Sequence, residues 1–255
     1  RLFDLNGCGS RAATQRLLSQ IEHFQPDVIW LHNLHGYYLN IELLFKWLKE
    51  HSQIKILWTL HDCWAFTGHC AHFSAAKCDR WKSGCGDCPQ LKAYPKTYGA
   101  DHTQRNYRQK QACFTGLANL TIIVPSEWLA RTVKQSFLKE YPVEVVHNQI
   151  DKSLFKPTPS DFREQYGLDG KTVILGAASV WDKEKGLLDF CRLREKLDSR
   201  FAIVLVGVTD KQKSRLLPGI LALPRTASPR ELAEIYSAAD VFVNPTHQDT
   251  YPTVN

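Results

Sequence analysis

No stretch of this 255-residue sequence approaches the roughly 18 to 20 uninterrupted apolar residues that a membrane-spanning helix needs. Internal repeats and low-complexity tracts are missing as well, which sets aside solenoid and tail-like architectures. Basic residues never gather into a run. The 32 Lys and Arg against 26 Asp and Glu give a formal charge of +6 that is spread along the chain. That sign suits an anionic ligand or an anionic membrane surface, and its dispersal argues against nucleic acid. No secretory leader is recognisable, so eight cysteines in a chain of this size are expected as thiols or metal ligands. The chain opens on Arg1 and not Met, which leaves a lost leader open.

What is present is a rhythm of helix and short apolar run. Ser10 stands as the cap of a helix whose apolar positions Ala13, Leu17, Leu18, Ile21 and Phe24 share one face, with Pro26 as its stop. VIWLHN follows as a buried strand, LNIELLFKWLKEH as a helix and IKILWTLHD as the next strand. A helix over 103–117, the strand LTIIVPS, a helix EWLARTVKQSFL capped by Ser126, and the strand VEVVHN complete the first half. Residues 151–162, with Pro157 and Pro159 and no period, read as a linker. The rhythm then restarts with TVILGAAS, KGLLDFCRLREKL, FAIVLVGV, a short strand at 220–223, and SPRELAEIYSAA before the last strand DVFVNP. In that helix Ser228, Pro229 and Glu231 spell a capping box.

Strands this apolar, separated by helices, predict parallel sheets covered on both faces, in two doubly wound domains over 1–150 and 163–255. Such folds bind ligands beyond the carboxyl ends of their strands. The residues at those ends are His32 and Asn33, His61 and Asp62, Pro125 and Ser126, His147 and Asn148, Ala178 and Ser179, and Asn244 to Asp249.

One stretch breaks the rhythm. Residues 61–95 form an irregular insertion that holds Cys63, Cys70, Cys78, Cys85 and Cys88 with His61, His69 and His72. A metal site, disulfides and a catalytic patch all compete for it.

TLHD at 59–62, VPSEWLA at 124–130, VVHNQID at 145–151, KGLLDF at 185–190 and LAEIYSAADVFVNPTHQD at 232–249 together resemble the family 4, or group 1, glycosyltransferases. The longer pattern LHNLHGYYLN…LWTLHDCWAFTGHC…CDRWKSGCGDCPQ resembles a bacterial subgroup that builds exopolysaccharide of the colanic-acid type. The resemblance implies a GT-B arrangement, two Rossmann-like domains facing a cleft, with the acceptor-side domain first and the nucleotide-sugar domain second. It implies transfer of a sugar from a UDP- or GDP-linked donor to a glycan or polyprenyl-linked acceptor, with retention and without a catalytic metal. A cytoplasmic location follows from it, peripheral to the inner face of the cell membrane. It also implies a chain cut at both ends. Nothing ahead of Ser10 supplies the family's leading strand and glycine loop, and the second carboxylate of its acidic pair would fall past Asn255. Such a piece is expected to be inactive alone.

Residue by residue, the resemblance gives His61 to the transferred sugar, as a hydrogen-bonding or charge-stabilising group. It gives Lys185 to the donor diphosphate, where a fixed cation offsets charge gained by the leaving group, with Ser179 nearby. Asp249 stands where the family has a glutamate that holds donor-sugar hydroxyls. The family's arginine is replaced by Val180, so Arg225 or Lys183 is expected to substitute, and Gln149 stands where glycine is usual. A reducing compartment argues against disulfides, and glycosyl transfer needs no thiolate. A structural zinc on Cys70, Cys78, Cys85 and Cys88 is therefore expected, with Cys-x2-Cys as its knuckle. Free thiols in an irregular loop are the competing reading. From a different class, an inert, zinc-stapled basic module that binds nucleic acid or another anionic polymer stands as the alternative function.

Overall fold

A computed structural model describes residues 7–255; the expectation about a strand ahead of Ser10 concerns residues 1–6, outside the described residues. The chain divides into two compact units, Arg1–His147 and Asn148–Asn255. Among the described residues each holds a four-stranded, all-parallel sheet with helices between its strands.

The first unit runs α1 (Arg11–Phe24), β1 (Val28–Leu31), α2 (Ile41–Glu50), β2 (Lys55–Thr59), α3 (Thr103–Phe114), β3 (Leu120–Val124), α4 (Glu127–Val133) and β4 (Val143–Val145). Its strand order is β1-β2-β3-β4, so every crossover steps the same way across the sheet. Right-handed crossovers that step one way put their helices on one face. Burial follows: Leu31, Ile56, Trp58, Leu120, Ile122 and Val124 pack with Leu44, Phe45 and Leu48 of α2 and with Phe114. The other face carries Val28, Trp30 (60% exposed), Leu57, Thr121 and Ile123. Burial on this second face is weaker than on the first: Leu57, Thr121 and Ile123 are half-buried, Thr59 is buried, and the exposure is greatest on β1. β1 is an edge strand among those described, and half of its side chains face outward.

Two details of α1 also differ from the pattern. Ser10 has positive φ and makes no cap; its hydroxyl donates instead to Tyr37 O at 2.6 Å. Ala13 is exposed and Phe24 is 78% exposed, so the buried stripe narrows to Thr14 and Leu18, with Leu17 and Ile21 half-buried. Asn40 and Ser126 do cap α2 and α4, accepting from the backbone N–H of Leu43 and Leu129. α4 stops at Val133, earlier than its sequence pattern suggested.

The second unit runs α5 (Phe162–Gln165), β5 (Thr172–Ala177), α6 (Leu187–Arg194), β6 (Phe201–Val206), α7 (Asp210–Lys213), β7 (Ile220–Leu223), α8 (Pro229–Ser237) and β8 (Val241–Phe242). Here the order is β7-β6-β5-β8: the chain steps outward twice and then returns to the far side of β5. This sheet is doubly wound. Val173, Leu175, Ala202, Val204 and Val206 pack with Phe162 and with Ile235 of α8. The alternate residues Ile174, Ile203 and Leu205 pack with Phe190 of α6 and with Trp181.

Ser228 caps α8 as expected, but Glu231 reaches past it to accept from the N–H of Ala227, so the reciprocal box does not close there. A closed capping box occurs instead at Thr209 and Gln212, at the head of α7. Among the described residues no helix is long and apolar enough to cross a membrane.

Candidate active site

In the second unit the direction of winding reverses between β5 and β8, the crevice where open parallel sheets bind ligands. The segments leaving these two strands are stitched together. The N–H of His247 donates to Glu184 O at 2.8 Å, and Thr246 Oγ1 bonds the same carbonyl. Lys185 Nζ donates to Asp249 Oδ2 at 2.6 Å, both side chains being half-buried. The remaining Asp249 oxygen accepts from the N–H of Tyr251, and the Lys185 N–H donates to Asp182 Oδ1. Gly186 ends the bend at φ +76° and leads into α6. A Cβ there would stand 2.8 Å from Pro245 O, so the approach of the two loops needs glycine.

Lys185 and Asp249 are thus brought together, 64 residues apart in sequence. Ser179 is exposed just past β5, and no hydrogen bond among the described residues joins it to that pair. Val180, Lys183 and Arg225 are exposed too. In the sequence His247 stands only as part of the run Asn244 to Asp249, with no role of its own. Its Nε2 lies 2.9 Å from Asp189 Oδ2 in the first turn of α6, and this bond holds the Asp189 carboxyl below its ordinary pKa. Asn148 donates weakly to Tyr251 O at 3.4 Å, and Gln149 is exposed and shows no positive φ.

In the first unit, the ends of β1 and β2 bring histidines together. His32 Nδ1 and His61 Nε2 lie 3.1 Å apart with their rings stacked. His35 Nε2 contacts Asp62 Oδ2 at 2.9 Å, and Asp62 Oδ1 accepts from the N–H of Trp64 at 2.8 Å. The His35 ring packs against Trp64 and Tyr94. Burial, then the nearby His32, lowers the His61 pKa, which favours the neutral ring. Burial pushes Asp62 upward, but the hydrogen bond and charge of His35 and the Trp64 N–H outweigh it, and the carboxyl lies below its ordinary value. A neutral imidazole on a rigid strand end can donate or accept one hydrogen bond to a hydroxyl ligand. His35 was not singled out in the sequence; its signal is the His-x2-His spacing just past β1.

The cysteine-rich insertion starts beside this cluster. Cys70, Cys78, Cys85 and Cys88 all line one small cavity with Phe73 and Trp81, whereas Cys63 is packed in the core. All eight cysteines are free thiols. Burial first, then the neighbouring cysteines, pushes the Cys70 thiol up to about 12; burial lifts Cys88 to about 11.

Comparison with known proteins identifies the family and the fold. Residues 2–154 match the family model described as Glycosyltransferase Family 4. A protein named as a colanic acid biosynthesis glycosyl transferase, WcaC of Escherichia coli K12, is 40% identical over 74 residues, 28% of this chain and 18% of that protein. The alpha-galactosylglucosyldiacylglycerol synthase of Streptococcus pneumoniae is 30% identical over 125 residues, 43% of this chain and 33% of its own. Among solved structures, sucrose-phosphate synthase from Thermosynechococcus elongatus superposes with TM-score 0.62 at 16% identity, over 94% of this chain and 56% of that one. HepE of Anabaena, solved in complex with UDP-glucose, gives TM-score 0.56 at 16% identity over 94% and 58%. The two parallel sheets are thus those of the GT-B glycosyltransferases, and the chain spans a fifth to a third of these curated relatives and a little over half of these solved structures.

Proposed function

Because the chain belongs to glycosyltransferase family 4, we propose that it forms part of an enzyme that transfers a sugar with retention from a UDP- or GDP-linked donor. The acceptor in this reading is a glycan or a polyprenyl-linked sugar, and the pathway is cell-surface polysaccharide synthesis. The observation that carries it is the Lys185–Asp249 pair at the winding reversal of the second sheet. A leaving nucleoside diphosphate gains negative charge as the glycosidic bond breaks. Lys185 supplies a fixed cation beside it, and the amide N–H groups at the start of α6 point to the same end. Asp249, holding Lys185 in the free protein, is placed to accept hydrogen bonds from donor-sugar hydroxyls once the ammonium turns to phosphate. With Val180 in place of the family's arginine, the diphosphate has fewer cations to meet, and His247 near the head of α6 adds a further group that carries charge when protonated. His61 is the sugar-facing group of the first unit in this reading, and its neutral ring suits a hydroxyl partner.

The UDP-glucose complex of HepE supports a nucleotide-sugar donor, and the name of WcaC supports a surface-polysaccharide pathway. Lys185 and the start of α6 supply the positive charge that other transferases take from a metal, so no catalytic metal enters the reading. A cytoplasmic site of action, peripheral to the inner face of the cell membrane, goes with a lipid-linked acceptor, and the +6 charge suits anionic headgroups. The test is thermal stabilisation by a panel of nucleoside diphosphates and oligonucleotides, followed by release of UDP or GDP from sugar donors. Stabilisation by oligonucleotide alone, fading steeply with salt, would sink the reading.

A further inference from the structure

Residues 60–102, between β2 and α3, contain only two short 3-10 turns, Trp64–Phe66 and Arg80–Lys82. A small aromatic cluster of Phe66, Phe73 and Trp81 lies inside the loop. Against that cluster is a cavity of about 20 Å³, and Cys70, Cys78, Cys85 and Cys88 all line it. The four thiols arrive from three separate stretches of the loop, so their convergence is a property of the fold and not of one motif. A cavity of this size takes one water-sized body.

The surroundings support sulfur ligands. The N–H of Gly68 donates to Cys85 Sγ at 3.1 Å, and the N–H of Gln90 donates to Cys88 Sγ at 3.4 Å. Such N–H···S bonds hold the charge of thiolates around a metal. The turn between Cys85 and Cys88 is fixed from outside, because the Arg80 guanidinium donates to the carbonyls of Gly86 and Asp87. Gly68 itself lies against Cys85 Cβ and the Thr103 carbonyl, where no Cβ fits. Lys110 is buried nearby, its ammonium donating to the carbonyls of Trp64 and Thr67 and lying 3.5 Å from the Trp64 ring centroid.

We propose that Cys70, Cys78, Cys85 and Cys88 bind a single zinc ion as a structural tetrahedral site that fastens the 60–102 loop. An all-sulfur tetrahedron selects zinc or an iron–sulfur cluster, and a cavity that takes one water-sized body favours the single ion. With the thiols as they lie, no three His, Cys, Asp or Glu side chains among the described residues are arranged to hold a metal. Binding therefore turns the thiols onto a shared centre, at Zn–S distances near 2.3 Å. Four S–H protons leave to solvent as four Zn–S bonds form, and no oxidant takes part. The product carries a net charge of −2, which the buried Lys110 ammonium partly offsets. Because Asp62, Trp64 and Tyr94 belong to the same loop and meet His35, the ion would also hold the histidine cluster in place.

The whole chain, purified without chelator, is the sample for the test, and sugar transfer is not the readout. Elemental analysis should find about one zinc per chain, released by a mercurial reagent that titrates the thiols. Replacing zinc by cobalt should give the intense near-ultraviolet thiolate-to-cobalt band and the strong visible absorption of a tetrahedral sulfur site. The double variant Cys85→Ser/Cys88→Ser should lose the metal, while Cys191→Ser keeps it. If the double variant does not fold, the cobalt spectrum of the unaltered chain decides. A chain that takes up no metal from a zinc-supplemented buffer overturns the proposal. So does retention of metal by a folded double variant, or a cobalt spectrum without sulfur charge transfer.

Discussion

Lys185 Nζ lies 2.6 Å from Asp249 Oδ2, an ion pair that joins the segment ahead of α6 to the segment that follows β8. The pair is half-buried, so its net worth to the fold is small, about 0 to 1 kcal/mol. Its interest lies in what each partner does when an anion arrives. A diphosphate competes with the carboxylate for the ammonium, and the two side chains then respond to substitution in opposite ways.

Lys185→Ala should weaken binding of UDP or GDP by about 10- to 100-fold, the range of one hydrogen bond to a charged group. The melting temperature should stay within a few degrees. Asp249→Asn removes the competitor, so it should bind the bare diphosphate as well as or better than the unaltered protein while using the sugar donor less well. Calorimetric titration with UDP and with UDP-sugar separates the two. Equal weakening of bare diphosphate binding by both variants would remove Asp249 from the sugar side.

His61→Ala should reduce turnover in the complete enzyme by about 10²- to 10³-fold, the cost of one well-placed electrostatic donor. Affinity for the nucleoside diphosphate should hold, because Lys185 belongs to the other unit. The loss should be largest at neutral pH, where the lowered pKa keeps the ring uncharged. Comparable losses in turnover and diphosphate affinity would make His61 a structural residue.

The strands and most long helices were legible because apolar runs of four to six residues alternate with capped amphipathic segments. Ser126, Ser228 and the apolar stretch of β6 are local signals, and the structure uses each locally. Which sheet face is covered was not legible. It depends on strand order, and β1-β2-β3-β4 leaves Trp30 outward where VIWL reads as fully buried. The short helices α5 and α7 span one turn each, too little for a period to show. In the candidate site, Lys185, Asp249 and His61 could be named from motifs. The bonds His35–Asp62 and His247–Asp189 join residues 27 and 58 apart, and no sequence spacing announces such pairs.

Asp62→Asn should change the acid limb of stability. The native carboxyl titrates below its unfolded value of about 3.9, so its contribution is complete above that value and is lost as pH falls through the native pKa. Asparagine has no charge to lose there. The variant should be less stable at pH 7 by about 1 to 3 kcal/mol, since His35 and the Trp64 N–H lose a charged acceptor. Its difference from the unaltered protein should shrink steadily below pH 4, as Asp62 itself becomes neutral. Denaturant titrations across that range provide the check, and a difference that stays constant with pH would mean Asp62 is not ionised in the fold.

Gly186→Ala should damage the candidate donor site more than the fold. Gly186 has φ +76°, a conformation that costs an alanine roughly 1 to 2 kcal/mol. Space adds to this, because the new methyl would meet Pro245 Cγ and Pro245 O at 2.7 and 2.8 Å. Pro245 begins the segment that carries Thr246, His247 and Asp249, each bonded back to the 184–189 region. The cheapest relief is to push that segment outward, since β5 and β6 beneath it are closely packed and cannot give. Moving it separates Asp249 from Lys185 and His247 from Asp189 together. The expected result is a modest fall in melting temperature with a much larger loss of donor binding. Gly186→Ala that binds UDP-sugar normally, with the melting temperature lowered, would show that the 245–249 segment does not shape the donor site.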